Sequence, residues 1–214
     1  MSSLLLSLLQ LIFLQKLSSL PFDGTRMSST ICEFLLLEKV AHHGRLQGKI
    51  IHYRIAQYSR KELHQNMDEV KFKEYIDSAL RKAVKLWEDV IDVRFVEMPY
   101  TKANIEVLFA TFHHGDKYPF DGEGNELAHT FYPDNLMWHG QIHIDDSEPW
   151  GPNGRNLDWV MAHEIGHALG LVHGDDESLM TSHYQGFQET TPKLHPCDVA
   201  AIQSLYGSCK KKNH

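Results

Sequence analysis

The segment HEIGH at residues 163–167 constrains this chain more than any other part of its sequence. In a helix, His163 and His167 lie one turn apart on the same face, so both imidazoles can reach one ion at about 2.0–2.1 Å. Gly170 then lets the chain turn back, and His173 can supply a third nitrogen. Three protein ligands leave a fourth position for water, which is typical of a catalytic zinc rather than a structural one.

The complete spacing carries more information than its first five residues. From this composition, H-E-x-x-H is expected by chance in about 7 of 100 chains, whereas the addition of Gly170 and His173 lowers that to about 3 in 10,000. The chain also has 15 histidines among its 214 residues, and histidine is the commonest transition-metal ligand. With Glu164 as the base that takes a proton from water and passes it to the leaving amine, the pattern predicts peptide hydrolysis.

Composition limits the partners and the scaffold. The chain has 28 acidic and 21 basic residues, a formal net charge of -7, which argues against nucleic acid as a partner. Three cysteines are too few for a disulfide scaffold. Whether Cys197 and Cys209 pair is left open at this point. A hydrophobic content of 42% over 214 residues is typical of one globular domain.

The N-terminus predicts a targeting segment. An apolar run at residues 4–14 is too short to span a bilayer, which takes roughly 20 residues, and it fits a secretory signal peptide over 1–20. A buried helix is the alternative. We expect a short leader over 21–48, a single domain over 49–207 and a solvated basic tail over 208–214, with no transmembrane anchor.

Hydrophobic periodicity predicts alternating strands and helices within that domain. The predicted strands are 50–58, 93–96, 105–109, 128–132 and 141–145, and the predicted helices are 70–90, 156–170 and 196–207. The run at 105–109 is apolar enough to be buried on both faces. Asn156 is a favourable N-cap, Pro196 suits a first helical turn, and Gly207 suits a helix end.

The extended motif, followed by Met180, resembles the metzincin metalloproteases, in which a methionine turn lies beneath the zinc. The upstream segments HGD at 114–116, PFDG at 119–122, LAH at 127–129 and HID at 143–145 resemble the matrixins, the matrix metalloproteinases. The resemblance implies an α+β catalytic domain with a twisted five-stranded mixed sheet, three helices and a cleft. It implies a second, structural zinc held by His114, Asp116, His129 and His143, and at least one calcium held by Asp121, Gly122, Gly124, Glu126, Asp145 and Glu148. Such donor sets suit zinc and calcium respectively.

The resemblance also implies how a substrate is held. In this family the peptide lies antiparallel to an edge strand, here at Leu127 and Ala128, and main-chain hydrogen bonds allow broad sequence tolerance. Trp159 falls where the family sets the depth of the main specificity pocket. A bulky indole there predicts a shallow pocket, with a core-facing aromatic as the alternative. Tyr184 is the retained residue of the family's Pro-x-Tyr pocket wall.

Four departures from the matrixin pattern limit what the resemblance implies. Cys32 lacks the surroundings of the cysteine switch that keeps matrixins latent. Ser182 replaces the proline of the pocket wall, and Gly174 stands where serine or threonine is usual. Residues 134–139 replace a glycine-rich loop, so a second calcium is not expected from them.

We therefore expect a secreted, monomeric zinc endopeptidase that acts on extracellular or matrix proteins and that protein inhibitors of metalloproteases could bind. The alternative from another class is a zinc-binding decoy or binding protein without turnover, which the intact Glu164 disfavours. A different metzincin branch, such as a serralysin-like enzyme, would keep the chemistry but change its context.

Overall fold

The computed structural model describes residues 43–60, 68–151, 153–186 and 191–209. Its elements in chain order are β1 (Ile50–Gln57), α1 (Glu69–Glu88), β2 (Arg94–Glu97), β3 (Ile105–Ala110), β4 (Ala128–Thr130), β5 (Gln141–Asp145), α2 (Leu157–Ala168) and α3 (Pro196–Tyr206). Within these ranges, five strands in one sheet and three helices confirm the predicted α+β class. The predicted signal peptide at 1–20, the leader up to residue 42 and the tail beyond residue 209 lie outside the described residues.

The sheet is mixed, with strand order β2-β1-β3-β5-β4. The four strands β2, β1, β3 and β5 are mutually parallel, and β4 alone runs antiparallel to its neighbour β5. The central strand β3 is largely buried on both faces, as its apolar run predicts. Strand β4 lies at the sheet edge, so one side of its backbone is left unpaired by the sheet.

Helix α1 covers the sheet with the apolar face that its sequence period predicts. Asp68 caps its start by accepting a hydrogen bond from the Lys71 amide at 2.9 Å. The buried residues, spaced three and four apart, are Phe72, Ile76, Ala79, Leu80, Ala83, Val84 and Trp87. At the far end of this face, the Trp87 indole donates a hydrogen bond to the Ala162 carbonyl at 2.9 Å and so ties α1 to α2.

The glycine inside the histidine motif is required by packing. Helix α2 is buried on nearly every side, and Gly166 lies between Trp87 and Met180. A Cβ at this position would lie 2.9 Å from Trp87 Cζ2 and would overlap the Met180 thioether. The i, i+4 spacing places the two histidines on one face, and Gly166 lets Trp87 and Met180 pack directly against the helix because it has no side chain.

The chain turns back after α2 at a second glycine. Gly170 has a φ of 106°, a conformation that residues with a side chain rarely adopt, and a Cβ at this position would overlap the Gly44 carbonyl oxygen. The Leu46 amide donates to the Tyr206 hydroxyl at 2.9 Å, and that hydroxyl donates to the Leu169 carbonyl at 2.9 Å. Residues 43–46 are thus packed against the end of α2 and against α3.

Gly166→Ala tests this packing. Alanine is favoured over glycine in a helix by about 1 kcal/mol, but an extra carbon in a full core costs about 1–3 kcal/mol, so we expect a net loss of up to about 2 kcal/mol in the free energy of unfolding. Denaturant unfolding measures it. The control Glu74→Ala, on the exposed side of α1, should change it by less than about 0.5 kcal/mol. A more stable Gly166→Ala variant would contradict the close packing.

Candidate active site

Helix α2 and the turn after it bring three histidines together. Asn156 caps the helix by accepting from the Trp159 amide at 3.1 Å, as the sequence predicts. The His163 and His167 rings, one turn apart, have centroids 4.6 Å from each other. After the turn, the His173 ring lies 5.5 Å from the first and 4.8 Å from the second. One ligand atom from each residue lies within 4.8 Å of the others, as a shared metal requires.

Backbone carbonyls set the orientation of the two helical histidines. His163 donates from Nδ1 to the Leu179 carbonyl at 2.8 Å, and His167 donates from Nδ1 to the Leu171 carbonyl at 2.7 Å. Both rings therefore keep Nε2 as a free acceptor, which is the tautomer that a metal needs. Burial lowers the pKa of both imidazoles and of His173, so the neutral, metal-binding form is favoured.

The loop that carries Met180 lies under this cluster and is held by α3. Asp198, in the first turn of α3, accepts hydrogen bonds from the Ser178 hydroxyl and from the Leu179 amide, the latter at 3.0 Å. The Met180 amide in turn donates to Ser178 Oγ at 2.8 Å. Because the Leu179 carbonyl orients His163, the buried Asp198 carboxylate acts on the histidine cluster through this loop. Nothing in the sequence pattern marks Asp198 as part of this site.

Glu164 is buried beside the three histidines. Burial raises the pKa of Glu164 to about 7, and a hydrogen bond from the Thr130 hydroxyl opposes that rise. The side chain borders a cavity of about 370 Å³ between the edge strand β4 and α2. A carboxylate beside three neutral imidazoles in a partly enclosed cavity can move a proton to and from a bound substrate.

The residues predicted to bind substrate also line that cavity. Leu127 and Ala128 border it from the edge-strand side, and Tyr184 borders it from the loop beyond Met180. Trp159 stacks on the His163 ring at 5.3 Å and meets Tyr184 edge-on at 5.4 Å. The indole is buried in the core and also borders the cavity.

A second cluster lies on the other side of β4. His114, Asp116, His129 and His143 each place one ligand atom within 4.8 Å of the others. His129 and His143 are directly opposite each other on the antiparallel strands β4 and β5. Asp116 Oδ2 lies 3.0 Å from Nε2 of His114, 3.0 Å from Nε2 of His129 and 2.8 Å from Nδ1 of His143.

The hydrogen bonds around this cluster leave only acceptors at its centre. The outward nitrogens of His114, His129 and His143 donate to the Phe112 carbonyl at 2.6 Å, to Glu126 Oε1 at 2.9 Å and to Gln141 Oε1 at 3.2 Å. With those protons placed, three nitrogen lone pairs and one carboxylate oxygen face each other. Such a group repels itself unless a cation lies among its atoms, so the residues fit a tetrahedral zinc.

The predicted calcium residues are grouped less tightly. Asp121, Gly122 and Gly124 lie on the loop before β4, Asp145 ends β5, and Glu148 follows it. Asp145 is fully buried, and its Oδ2 has no hydrogen-bond partner among the described residues. Burial raises the pKa of Asp145, and the nearby carboxylates Glu148 and Asp121 raise it further. A buried carboxylate oxygen that has no hydrogen-bond partner and lies near other carboxylates fits a hard cation such as calcium.

Two details modify the expected calcium set. Glu126 Oε1 accepts a hydrogen bond from His129 Nδ1 at 2.9 Å, so this oxygen is turned toward the second cluster. Glu148 accepts from the Gly124 amide and pairs with Arg155 at 3.0 Å. Across the described ranges, the two histidine clusters are the groups of three or more ligand atoms lying within 4.8 Å of one another.

Two further histidines and one cysteine lie apart from these sites. His113 and His139 are exposed and belong to neither cluster. Cys209 is a free, exposed thiol, so it does not pair with Cys197. Cys32 lies outside the described residues.

The sequence from residue 46 to residue 207 matches the Matrixin model of peptidase family M10. The chain belongs to the matrixin family.

Individual matrixins and their relatives are similar over much of this chain. Stromelysin-2 of Rattus norvegicus is 44% identical over 140 residues, which are 64% of this chain and 29% of that protein. Macrophage metalloelastase of Rattus norvegicus is 37% identical over 175 residues, 80% of this chain and 36% of that protein. Hatching enzyme of Paracentrotus lividus is 43% identical over 138 residues, 62% of this chain and 23% of that protein. The chain therefore spans only about a quarter to a third of the length of these relatives.

None of the helices in the described part of this matrixin is both long and apolar enough to cross a membrane.

Replacing His143 tests the second cluster by metal content. We expect two zinc ions per chain in the purified protein and one in His143→Ala, because three remaining donors bind zinc far more weakly than four. Elemental analysis after gel filtration measures the ratio. The matched control is His113→Ala, since this exposed histidine belongs to neither cluster and its loss should leave two. One zinc in the unaltered protein would contradict a second zinc site.

Replacing Asp198 tests the support beneath the histidines. Asp198→Asn keeps the shape, but its NH2 group replaces one of the two acceptor oxygens and so faces either the Ser178 hydroxyl or the Leu179 amide. We expect a loss of about 2 kcal/mol in the free energy of unfolding. Denaturant unfolding provides the measurement, with Asp176→Asn on the exposed loop as the control. Equal stability of both variants would show that the Asp198 charge is dispensable.

Proposed function

We propose that this matrixin is a secreted zinc-dependent endopeptidase that hydrolyses peptide bonds in extracellular or matrix proteins. The observation that carries the proposal is Glu164 beside the three-histidine cluster, at a cavity bordered by an unpaired strand edge. Membership of the matrixin family supports the same reaction.

The histidines would hold the catalytic zinc through Nε2 of His163 and His167 and through His173. Zinc, when bound there, supplies the Lewis acidity that polarises a peptide carbonyl and lowers the pKa of water. The carbonyls of Leu179 and Leu171 keep the two helical rings in the required tautomer. His114, Asp116, His129 and His143 would hold the structural zinc, and the loop around Asp145 would hold calcium.

The edge strand would bind the substrate backbone. An extended peptide can pair with the open side of β4 near Ala128, because the outward-facing main-chain groups of an edge strand are not used by the sheet. The Leu127 carbonyl faces β5, where it accepts from the Asp145 amide at 3.0 Å, and Leu127 borders the cavity beside this edge. Main-chain pairing accepts many sequences. Trp159 and Tyr184 form an aromatic wall beside the histidines and would limit the size of the substrate side chain that enters the pocket.

Glu164 would carry the proton in both halves of the reaction. Its carboxylate accepts the proton that the attacking water loses, and it then donates that proton to the leaving amine, so the residue ends as it began. Burial supports both roles, because a pKa of about 7 makes the protonated and ionised forms of Glu164 nearly equal in free energy at neutral pH.

Glu164→Ala tests the proposal in the full chain. We expect the unaltered protein to cleave a generic quenched fluorogenic peptide and to lose activity with a chelator. Glu164→Ala should lower kcat by about 100-fold or more, the usual contribution of a general base. Glu74→Ala, which removes an exposed carboxylate, should retain full activity.

Two outcomes would overturn parts of the proposal. Cleavage that survives Glu164→Ala would remove Glu164 from the mechanism. Tight binding of a hydroxamate without cleavage of any member of a broad peptide library would show a binding protein rather than an enzyme.

A further inference from the structure

One side-chain contact at Glu164 goes beyond the residues assigned above. The Thr130 hydroxyl donates a hydrogen bond to Glu164 Oε2 at 2.6 Å. The same hydroxyl oxygen lies 3.3 Å from the Glu164 backbone carbonyl. A hydroxyl has one proton, and a short bond to a carboxylate is the stronger of the two choices, so the proton goes to Oε2.

This contact distinguishes the two carboxylate oxygens. Oε2 has the hydroxyl as a partner, whereas Oε1 receives no hydrogen bond from any described residue. A carboxylate held through one oxygen cannot rotate freely about its terminal torsion, which is otherwise broad and nearly two-fold. The other oxygen then keeps a constant orientation in the cavity that Glu164 and Thr130 both border.

Thr130 is itself held firmly. It lies on β4, paired with Ile142 of β5, and its backbone is therefore part of the sheet. Threonine is branched at Cβ, so its χ1 angle has few alternatives in a strand. The Thr130 hydroxyl therefore has a fixed position, and its hydrogen bond fixes the position of the Glu164 carboxylate on the neighbouring helix.

We propose that Thr130 is a positioning residue for the general base, holding Glu164 Oε2 so that Oε1 is the oxygen that takes the proton from water and passes it to the leaving amine. This inference rests on the proposed function. Thr130 does not touch the substrate in this role and acts only through Glu164. Its loss should lower the rate of the chemical step more than the binding of the peptide.

The test compares Thr130→Val with Thr130→Ser in the full chain. Valine has nearly the same shape but no hydroxyl, and serine keeps the hydroxyl. With a quenched fluorogenic peptide, we expect Thr130→Val to lower kcat about ten-fold or more while KM changes less than about two-fold. Thr130→Ser should recover most of that loss. Thr101→Val, at an exposed position, is the matched control for the same substitution.

Thermal unfolding and zinc content per chain are measured on the same samples. Equal midpoints and equal zinc content for the valine and serine variants, together with the kcat difference, support positioning. If valine and serine lower kcat equally, or if the loss follows the melting temperature or the zinc content, Thr130 has a structural role and the inference is wrong.

The outcomes for Thr130 and for the proposed function are separable. If the unaltered protein cleaves no peptide, the proposed function fails, and the role of Thr130 that rests on it fails with it. If the unaltered protein cleaves, Glu164→Ala is inactive and Thr130→Val keeps the full kcat, the proposed function stands and only the role of Thr130 is overturned.

Discussion

Burying ionisable groups on α2 is unfavourable because they lose their hydrogen bonds to water, and the surrounding fold replaces those bonds. His163, Glu164 and His167 are all buried, on a helix whose other residues are almost entirely buried too. A buried polar group without a hydrogen bond is strongly unfavourable. Each of the three has a partner from another part of the chain: the Leu179 carbonyl, the Thr130 hydroxyl and the Leu171 carbonyl. The helix can therefore lie in the core and still present three chemically active side chains at a cavity.

The second cluster joins the long segment between β3 and β4 to the sheet. The chain between β3 and β4 is long and has no regular secondary structure, so few backbone hydrogen bonds hold it. His114 and Asp116 from that segment meet His129 and His143 from two paired strands. A cation among four acceptors would tie the loop to the sheet at one point, next to the buried Phe120 ring that stacks on His114. The buried Asp145 carboxylate, whose Oδ2 has no hydrogen-bond partner among the described residues, is a second place near this loop where a cation could bind.

The sequence predicted the elements and the three clustered histidines because their signals are local, whereas the other metal-ligand candidates came from the resemblance to the matrixins. Spacing of three and four residues gave the buried face of α1, and the motif spacing gave the three clustered histidines. The contacts it missed join positions far apart in the chain: Asp198 with Ser178, Glu164 with Thr130, and Trp87 with the helix around Gly166. Nothing in the local sequence of Thr130 or Asp198 indicates its partner. Such residues become visible only when the fold brings separate elements together.

The three-residue strand β4 serves two sites at once. Successive side chains of a strand point to opposite faces, so His129 meets the second cluster while Thr130 meets Glu164. So short a strand has little stability of its own, and its position depends on contacts at both faces. Cation binding on one face and carboxylate geometry on the other would then be thermodynamically linked, and such a linkage is reciprocal. Under the proposed function, an agent that removes a cation from the second cluster would therefore lower the activity of this matrixin without entering the cavity beside Glu164.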